Sequence, residues 1–228
     1  MFSLTPPTDN NPSPDPSFAL NYKKLPFKRI EVPFSAIEAT AKSLGASPTG
    51  TWPNGTPEYT IPILRDSDSG AVISDSVAIA EYLDKTYPDA PRLFGEGTVD
   101  AQRELIKARE GAIMILAPVL VPKVIELYLD DLKEVIKTRG VTFEGDIPQE
   151  KEKELWDKAR KTFEEVETRL GGTEHAFADL ALAGVGWNAR CGFGEDTKEW
   201  KEIKSWAGGK VGKATDAAVE YESRILSA

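Results

Sequence analysis

The sequence predicts a two-part chain in which a mixed α/β region is followed by an all-helical one. Three observations carry this: a hairpin-and-helix pattern between Glu58 and Leu83, exclusively helical periodicity from Thr98 onward, and a proline-rich joint between them. The change from mixed to all-helical patterning marks a domain boundary, which divides the chain into residues 1–90 and 98–228.

Residues 3–17 contain five prolines among polar residues and read as a loop or leader. Ser35 to Leu44 suits a short helix ending at Gly45, and the Pro/Gly/Thr-rich stretch Ala46 to Pro57 reads as a loop. Two short apolar runs, Tyr59 to Leu64 and Ala71 to Ile73, then flank the turn-forming Asp66-Ser-Asp-Ser-Gly70, which predicts a β-hairpin. Pro62 has no N–H for a sheet ladder and belongs at a strand start or edge. A helix follows, with Ile79, Ala80, Leu83 and Tyr87 on one face.

Pro88 to Gly95 is the expected linker. Beyond it, helices are predicted over Ala101 to Ala117, Val119 to Thr138 stopped by Gly140, Gln149 to Leu170 stopped by Gly171-Gly172, and Phe177 to Arg190. Leu155, Trp156, Ala159, Phe163, Val166 and Leu170 form an apolar stripe at helical spacing and are read as core. Ile113 to Val121 is more apolar than one buried face needs, so Ile113, Ile115 and Leu116 are candidates for an electrophile pocket or for simple core.

The joint between hairpin and helix concentrates polar groups, Ser74-Asp75-Ser76. A helix start has free N–H groups and the positive end of the helix dipole, which favour a carboxylate; the Ser76 hydroxyl adds a donor and Asp75 can hold an ammonium. The same three residues can equally well do no more than cap the helix. If the Ile61–Pro62 bond is cis, the Ile61 backbone faces outward, free to pair with an extended peptide-like ligand. Together these groups suit a small zwitterion.

A net charge of -9 and a pI near 4.9 argue against nucleic acid or an anionic membrane as main partner. Cys191 is the single cysteine, so no intramolecular disulfide forms, and with no Cys-x-x-Cys partner it is read as structural. His175 is the single histidine, which excludes histidine-rich metal sites, and no Gly-x-Ser-x-Gly elbow accompanies it. No metal is expected. The start Met-Phe-Ser-Leu-Thr-Pro-Pro lacks a charged n-region and an apolar h-region, and no apolar run reaches the ~18 residues of a membrane span, so a cytoplasmic, reducing location is the expectation.

Ile61-Pro-Ile-Leu64, followed by an acidic residue and serine before Ala78-Ile-Ala-Glu-Tyr-Leu83, resembles the glutathione-binding hairpin and helix of glutathione transferases. Phe18 to Val32 resembles their first helix and second strand, and Phe177 to Ala183 the start of their core helix. Ala19-Leu-Asn-Tyr-Lys23, Ser74-Asp-Ser76, Tyr82 to Pro88 and Glu199 to Trp206 are similar to the fungal etherase-related class, which resembles bacterial enzymes cleaving β-aryl ethers of lignin fragments.

The resemblance implies a thioredoxin-like N-terminal domain and an all-α C-terminal domain, usually as a homodimer, with glutathione as co-substrate. Ile61 then pairs its backbone with the cysteinyl part of glutathione, Pro62 is the cis proline, and Asp75 with Ser76 hold the γ-glutamyl end. The thiolate-stabilising hydroxyl it implies is Ser13, with Ser17 as the alternative. Relative to the class pattern the stretch between Ser13 and Ala19 is several residues short, and the first strand has only Phe2-Ser-Leu4 to draw on. Ala176 stands where the family usually has a Ser or Thr cap facing Asp179. Three functions follow as expectations: a transferase for hydrophobic aromatic electrophiles, aryl ethers among them; a carrier of aromatic compounds with little catalysis; or a non-catalytic interaction module.

Overall fold

A computed structural model describes residues 2–5, 17–123, 138–139, 147–171 and 176–225. The chain divides into two compact units, Met1–Leu93 with Tyr128–Thr142, and Phe94–Leu127 with Phe143–Ala228.

The first unit is a thioredoxin-like layer built on a four-stranded sheet, in the order β2-β1-β5-β6. Its strands are β1 (Phe2–Thr5), β2 (Lys28–Glu31), β5 (Ile63–Arg65) and β6 (Val72–Ser74), with helix α1 (Ser17–Tyr22) leading into β2. β1 is central despite its four residues, pairing parallel with β2 and antiparallel with β5. The predicted hairpin is β5–β6, with Ile63 opposite Ser74, but it begins at Ile63 rather than Tyr59. Residues 59–62 stand outside the ladder.

Helix α2 (Ile37–Leu44) follows a 3-10 turn at Phe34–Ala36. It ends at Gly45, whose φ of 75° is the left-handed geometry that glycine adopts without steric cost. The stretch predicted as loop carries a small ladder, β3 (Gly50–Thr51) against β4 (Pro57–Glu58). Two-residue strands leave no periodicity to read. Val32, Ile37, Ala41, Ala46 and Ile63 form one core between α2 and the sheet.

Helix α3 (Ser76–Thr86) is tied to the rest of the unit by two buried polar clusters. Lys23 donates to Asp84 at 2.7 Å and to the Pro91 carbonyl at 3.0 Å, while the Leu93 N–H donates to Asp84. Asp66 in the hairpin turn accepts from the Tyr82 and Tyr87 hydroxyls at 2.5 and 2.9 Å and from the Asp68 N–H. Burial pushes the Asp66 carboxyl up, but these hydrogen bonds and one from Ser69 outweigh it and hold it at about 2. Burial and the bond to this carboxylate push the Tyr87 hydroxyl up to about 12.

The second unit is all-helical: α4 (Val99–Met114), α5 (Gln149–Leu170), α6 (Ala176–Phe193) and α7 (Lys198–Ile225), the last broken at Trp206–Gly209. α4 ends three residues earlier than predicted because Pro118 has no N–H for the Met114 carbonyl, and the chain tightens there, with Leu116 N–H bonding Ile113 O, before helix resumes over 117–123. The remainder of the helix predicted to Thr138, its stop at Gly140, and Gly172 lie outside the described residues. The α5 stripe is core, with Ala159 and Phe163 fully buried. α6 and α7 approach closely at Gly186, where a Cβ would stand 2.0 Å from the Thr215 hydroxyl.

The start of α6 is satisfied by α4. Gln102, buried, accepts from the Ala178 N–H at 3.1 Å, and Arg109 donates to the Ala178 carbonyl at 2.7 Å. Arg109 also pairs with Glu167 at 2.5 Å and Asp179 at 3.2 Å. Asp179 therefore faces Arg109, and the Ala178 N–H that a hydroxyl at Ala176 would cap is already bonded to Gln102. Among the described residues no helix is long and apolar enough to cross a membrane.

Candidate functional site

The Ile61–Pro62 bond is cis. Ile61 lies between β4 and β5, outside both ladders, and among the described residues its main-chain N–H and C=O have no backbone partner. Its side chain packs on the α2 core, which fixes the residue in place.

Ile61 also lines a pocket of about 290 Å³, with Phe34, Ile37, Trp52, Tyr59 and Arg139 among its other walls. Arg139 is ion-paired with Glu38, donates to the Thr56 hydroxyl at 3.1 Å, and places its guanidinium 6.0 Å from the Trp52 ring centroid. Lys42 donates to the same Glu38 at 2.7 Å. That bond foremost, with Arg139 adding to it against the effect of burial, holds the Glu38 carboxyl below its ordinary value. Two cations against one carboxylate leave an excess positive charge beside the pocket. Trp52, Tyr59 and Arg139 were not singled out in the sequence; a tryptophan in a Pro/Gly-rich loop is the signal that could have found the first.

At the start of α3, Asp75 is the N-cap, and its Oδ1 accepts from the Val77 and Ala78 N–H groups, each at 3.0 Å. This corrects the expectation that the helix start is open to a ligand carboxylate: two of its donors are already used. What remains is Asp75 Oδ2 and the Ser76 hydroxyl, neither with a hydrogen bond among the described residues, and the buried Ser74 hydroxyl, also without a partner. Asp75 has φ 81° and ψ 132°, a conformation that costs a non-glycine residue about 1–3 kcal/mol. The strain aims the carboxylate at the helix start, and short polar Asp tolerates it better than bulkier residues.

Ser13 and His175 lie outside the described residues, and Ser17 is the first residue of α1. Cys191 lies within α6. In the helical unit Leu116 is fully buried in the core, and Ile113 and Ile115 pack against it. Ile113 and Leu116, but not Ile115, line a small apolar cavity. Among the described residues no group of three or more His, Cys, Asp or Glu could hold a metal.

A thioredoxin-like sheet with a cis proline just before β5, followed in the chain by an all-helical unit, defines a two-domain architecture. Residues 16–86 match the model of the glutathione S-transferase N-terminal domain, and residues 117–221 that of the C-terminal domain. The chain belongs to the glutathione transferase family. A glutathione S-transferase of Ceriporiopsis subvermispora, solved in complex with glutathione, superposes with a TM-score of 0.83 at 29% identity, covering 97% of each chain. A glutathione transferase of Phanerochaete chrysosporium gives 0.81 at 29% identity, covering 96% of each. A glutathione S-transferase-like protein of Aspergillus flavus is 35% identical over 127 residues, 53% of this chain and 42% of that protein, so the match spans less than half of that relative.

Proposed function

We propose that the chain binds glutathione along Ile61 and at Asp75–Ser76 and transfers its thiolate to hydrophobic aromatic electrophiles, aryl ethers among them. The observation that carries this reading is Ile61, whose main chain has no backbone partner among the described residues, lining a pocket whose other walls include three aromatic rings. Glutathione carries two carboxylates and one ammonium. The Ile61 amide and carbonyl suit its cysteinyl peptide groups, Asp75 Oδ2 its ammonium, and the Ser76 hydroxyl its γ-glutamyl carboxylate. The excess positive charge around Glu38 suits the second carboxylate.

In the reaction the thiolate sulfur attacks the electrophilic carbon, a C–S bond forms, and the aryl oxide or halide departs with the bonding pair. A free thiol has a pKa of about 8.5, and bringing it two units lower takes about 2.7 kcal/mol of preferential stabilisation of the thiolate. A hydroxyl hydrogen bond supplies much of this, and Ser13 is the group assigned to it. The molecule acts in the cytoplasm as a homodimer, with no metal.

A second reading, a carrier of aromatic compounds with little turnover, is favoured by the short stretch between Ser13 and Ala19. Initial rates with an activated aryl chloride and with a β-aryl ether, measured for the parent and for Ser13→Ala, separate the two. The transferase reading expects turnover that falls in the variant while glutathione affinity holds. Binding of both compounds without product would establish the carrier.

A further inference from the structure

The pocket beside Ile61 is larger and more apolar than one end of glutathione needs. Its volume is about 290 Å³, and the half-buried rings of Phe34, Trp52 and Tyr59, with Ile37 and Ile61, make it predominantly apolar. An apolar cavity of about 150 Å³ accepts one benzene-sized molecule, so this one accepts a ring with a short arm. The glycyl end of glutathione is a methylene and a carboxylate, and it leaves the three rings without an apolar partner.

Two of these rings have a cation beside them. The Arg139 guanidinium lies 6.0 Å from the Trp52 ring centroid, and Lys42 Nζ lies 5.5 Å from that of Tyr59. Both cations bind Glu38, Lys42 at Oε1 and Arg139 at Oε2, so the one carboxylate is more than offset. Arg139 is itself a wall of the pocket and keeps 23% of its side-chain surface exposed. It spends one N–H on Glu38 and one on the Thr56 hydroxyl, and the rest of its planar fork has no partner among the described residues. A ring among the aromatic walls and a planar carboxylate on the guanidinium satisfy both parts at once, whereas a neutral aryl compound leaves the fork without an anion. We propose that this pocket is a binding site for aryl carboxylates, single rings with the carboxylate on a short arm, which seat the ring among Phe34, Trp52 and Tyr59 and present the carboxylate to Arg139. Such an acid binds without glutathione. The acid and glutathione need the same Ile61 wall and the same positive charge, so each excludes the other; this exclusion rests on the glutathione reading given above.

The test is calorimetric titration of the full chain, without glutathione, with hydrocinnamate and with hydrocinnamamide, which has the same shape and no charge. Neither probe is an electrophile toward a thiol. The expected result is saturable binding of hydrocinnamate and roughly tenfold weaker binding of the amide. Arg139→Gln erases that preference, while Trp52→Leu weakens both probes alike. Arg139→Lys, which keeps the charge without the planar fork, replaces the first variant if it fails to fold, and it narrows the preference. Added glutathione lowers the apparent affinity for hydrocinnamate in proportion to its concentration. No hydrocinnamate binding, equal affinity for the two probes, a preference unchanged in the Arg139 variant, or undiminished affinity in Trp52→Leu overturns the proposal. Hydrocinnamate affinity that glutathione leaves unchanged, although glutathione itself binds, overturns the shared pocket. Intact discrimination between the probes with no heat from glutathione supports the aryl carboxylate site and counts against the glutathione reading alone.

Discussion

Two helix starts, α3 at Asp75–Ser76 and α6 at Ala176–Asp179, solve one problem in opposite ways. α3 caps itself: Asp75, exposed and strained, supplies the acceptor for Val77 and Ala78. α6 is capped by its neighbour, through the buried Gln102 and Arg109 of α4. A self-capped start keeps its outward face open for a ligand, with Asp75 Oδ2 and the Ser76 hydroxyl to spare. At the neighbour-capped start the Ala178 N–H, the Ala178 carbonyl and Asp179 are all engaged by α4. The difference is legible in the residues: Ser74-Asp-Ser76 supplies its own cap, whereas Ala176-Phe-Ala-Asp179 has no hydroxyl to offer and takes a partner from α4.

The largest effect that could break this comparison lies at α6. Arg109→Met leaves the buried Glu167 with Lys210 as its remaining cation and the Ala178 carbonyl without its side-chain donor, and is expected to destabilise the fold by about 3 kcal/mol in chemical denaturation. A loss below about 1 kcal/mol would mean that the α4–α6 joint is not the support described here. Next comes acid. The Asp66 carboxyl is held at about 2 against an ordinary 3.8, so its contribution is present above pH 4 and lost as pH falls through about 2. Stability on the order of 2 kcal/mol should disappear over that window, and Asp66→Asn should flatten the profile. Glu167, held low by Arg109 and Lys210 against the effect of burial, adds to it with the same sign.

Gln102→Leu leaves the Ala178 N–H unpaired and is expected to lower stability by about 1–3 kcal/mol, without any change in glutathione affinity. At the other start the two readouts move together. Asp75→Ala should cost about 0.5–2 kcal/mol of stability and abolish glutathione binding, whereas Asp75→Asn should keep most of the cap and still weaken binding. The smallest effect is Ala176→Ser or Ala176→Thr. A new cap here is ordinarily worth about 0.5–2 kcal/mol, but Gln102 already occupies the Ala178 N–H, so a rise in melting temperature at the low end of that range is expected.

What could be read from the residues follows the same division between local and non-local causes. α5 was legible to the residue, because its stripe and Gly171 lie within the segment they define. The end of α2 was legible too, since its stop at Gly45 is a property of one residue, but its start was not: a 3-10 turn occupies Phe34–Ala36 and the helix begins at Ile37 rather than Ser35. The central place of β1 was not evident from four residues, since neighbours 25 or more positions away decide it. Gln102 and Arg109 carry no signal in the sequence because their partners lie in other helices, and the β3–β4 ladder is too short for any period. At the candidate site, the cis bond before Pro62 and the cap at Asp75 were legible because proline chemistry and turn chemistry are local. Trp52 and Arg139 meet only in the folded chain.

The most direct test of the central claim, that the self-capped start beside Ile61 is a glutathione site, is calorimetric titration of the full chain with glutathione, with Asp75→Asn and Gln102→Leu run in parallel. The account predicts saturable binding by the parent and by Gln102→Leu, and roughly tenfold or greater weakening in Asp75→Asn, where the cap persists but the charge facing the ammonium is gone. Unchanged affinity in Asp75→Asn, or no heat from the parent at millimolar glutathione, would contradict it.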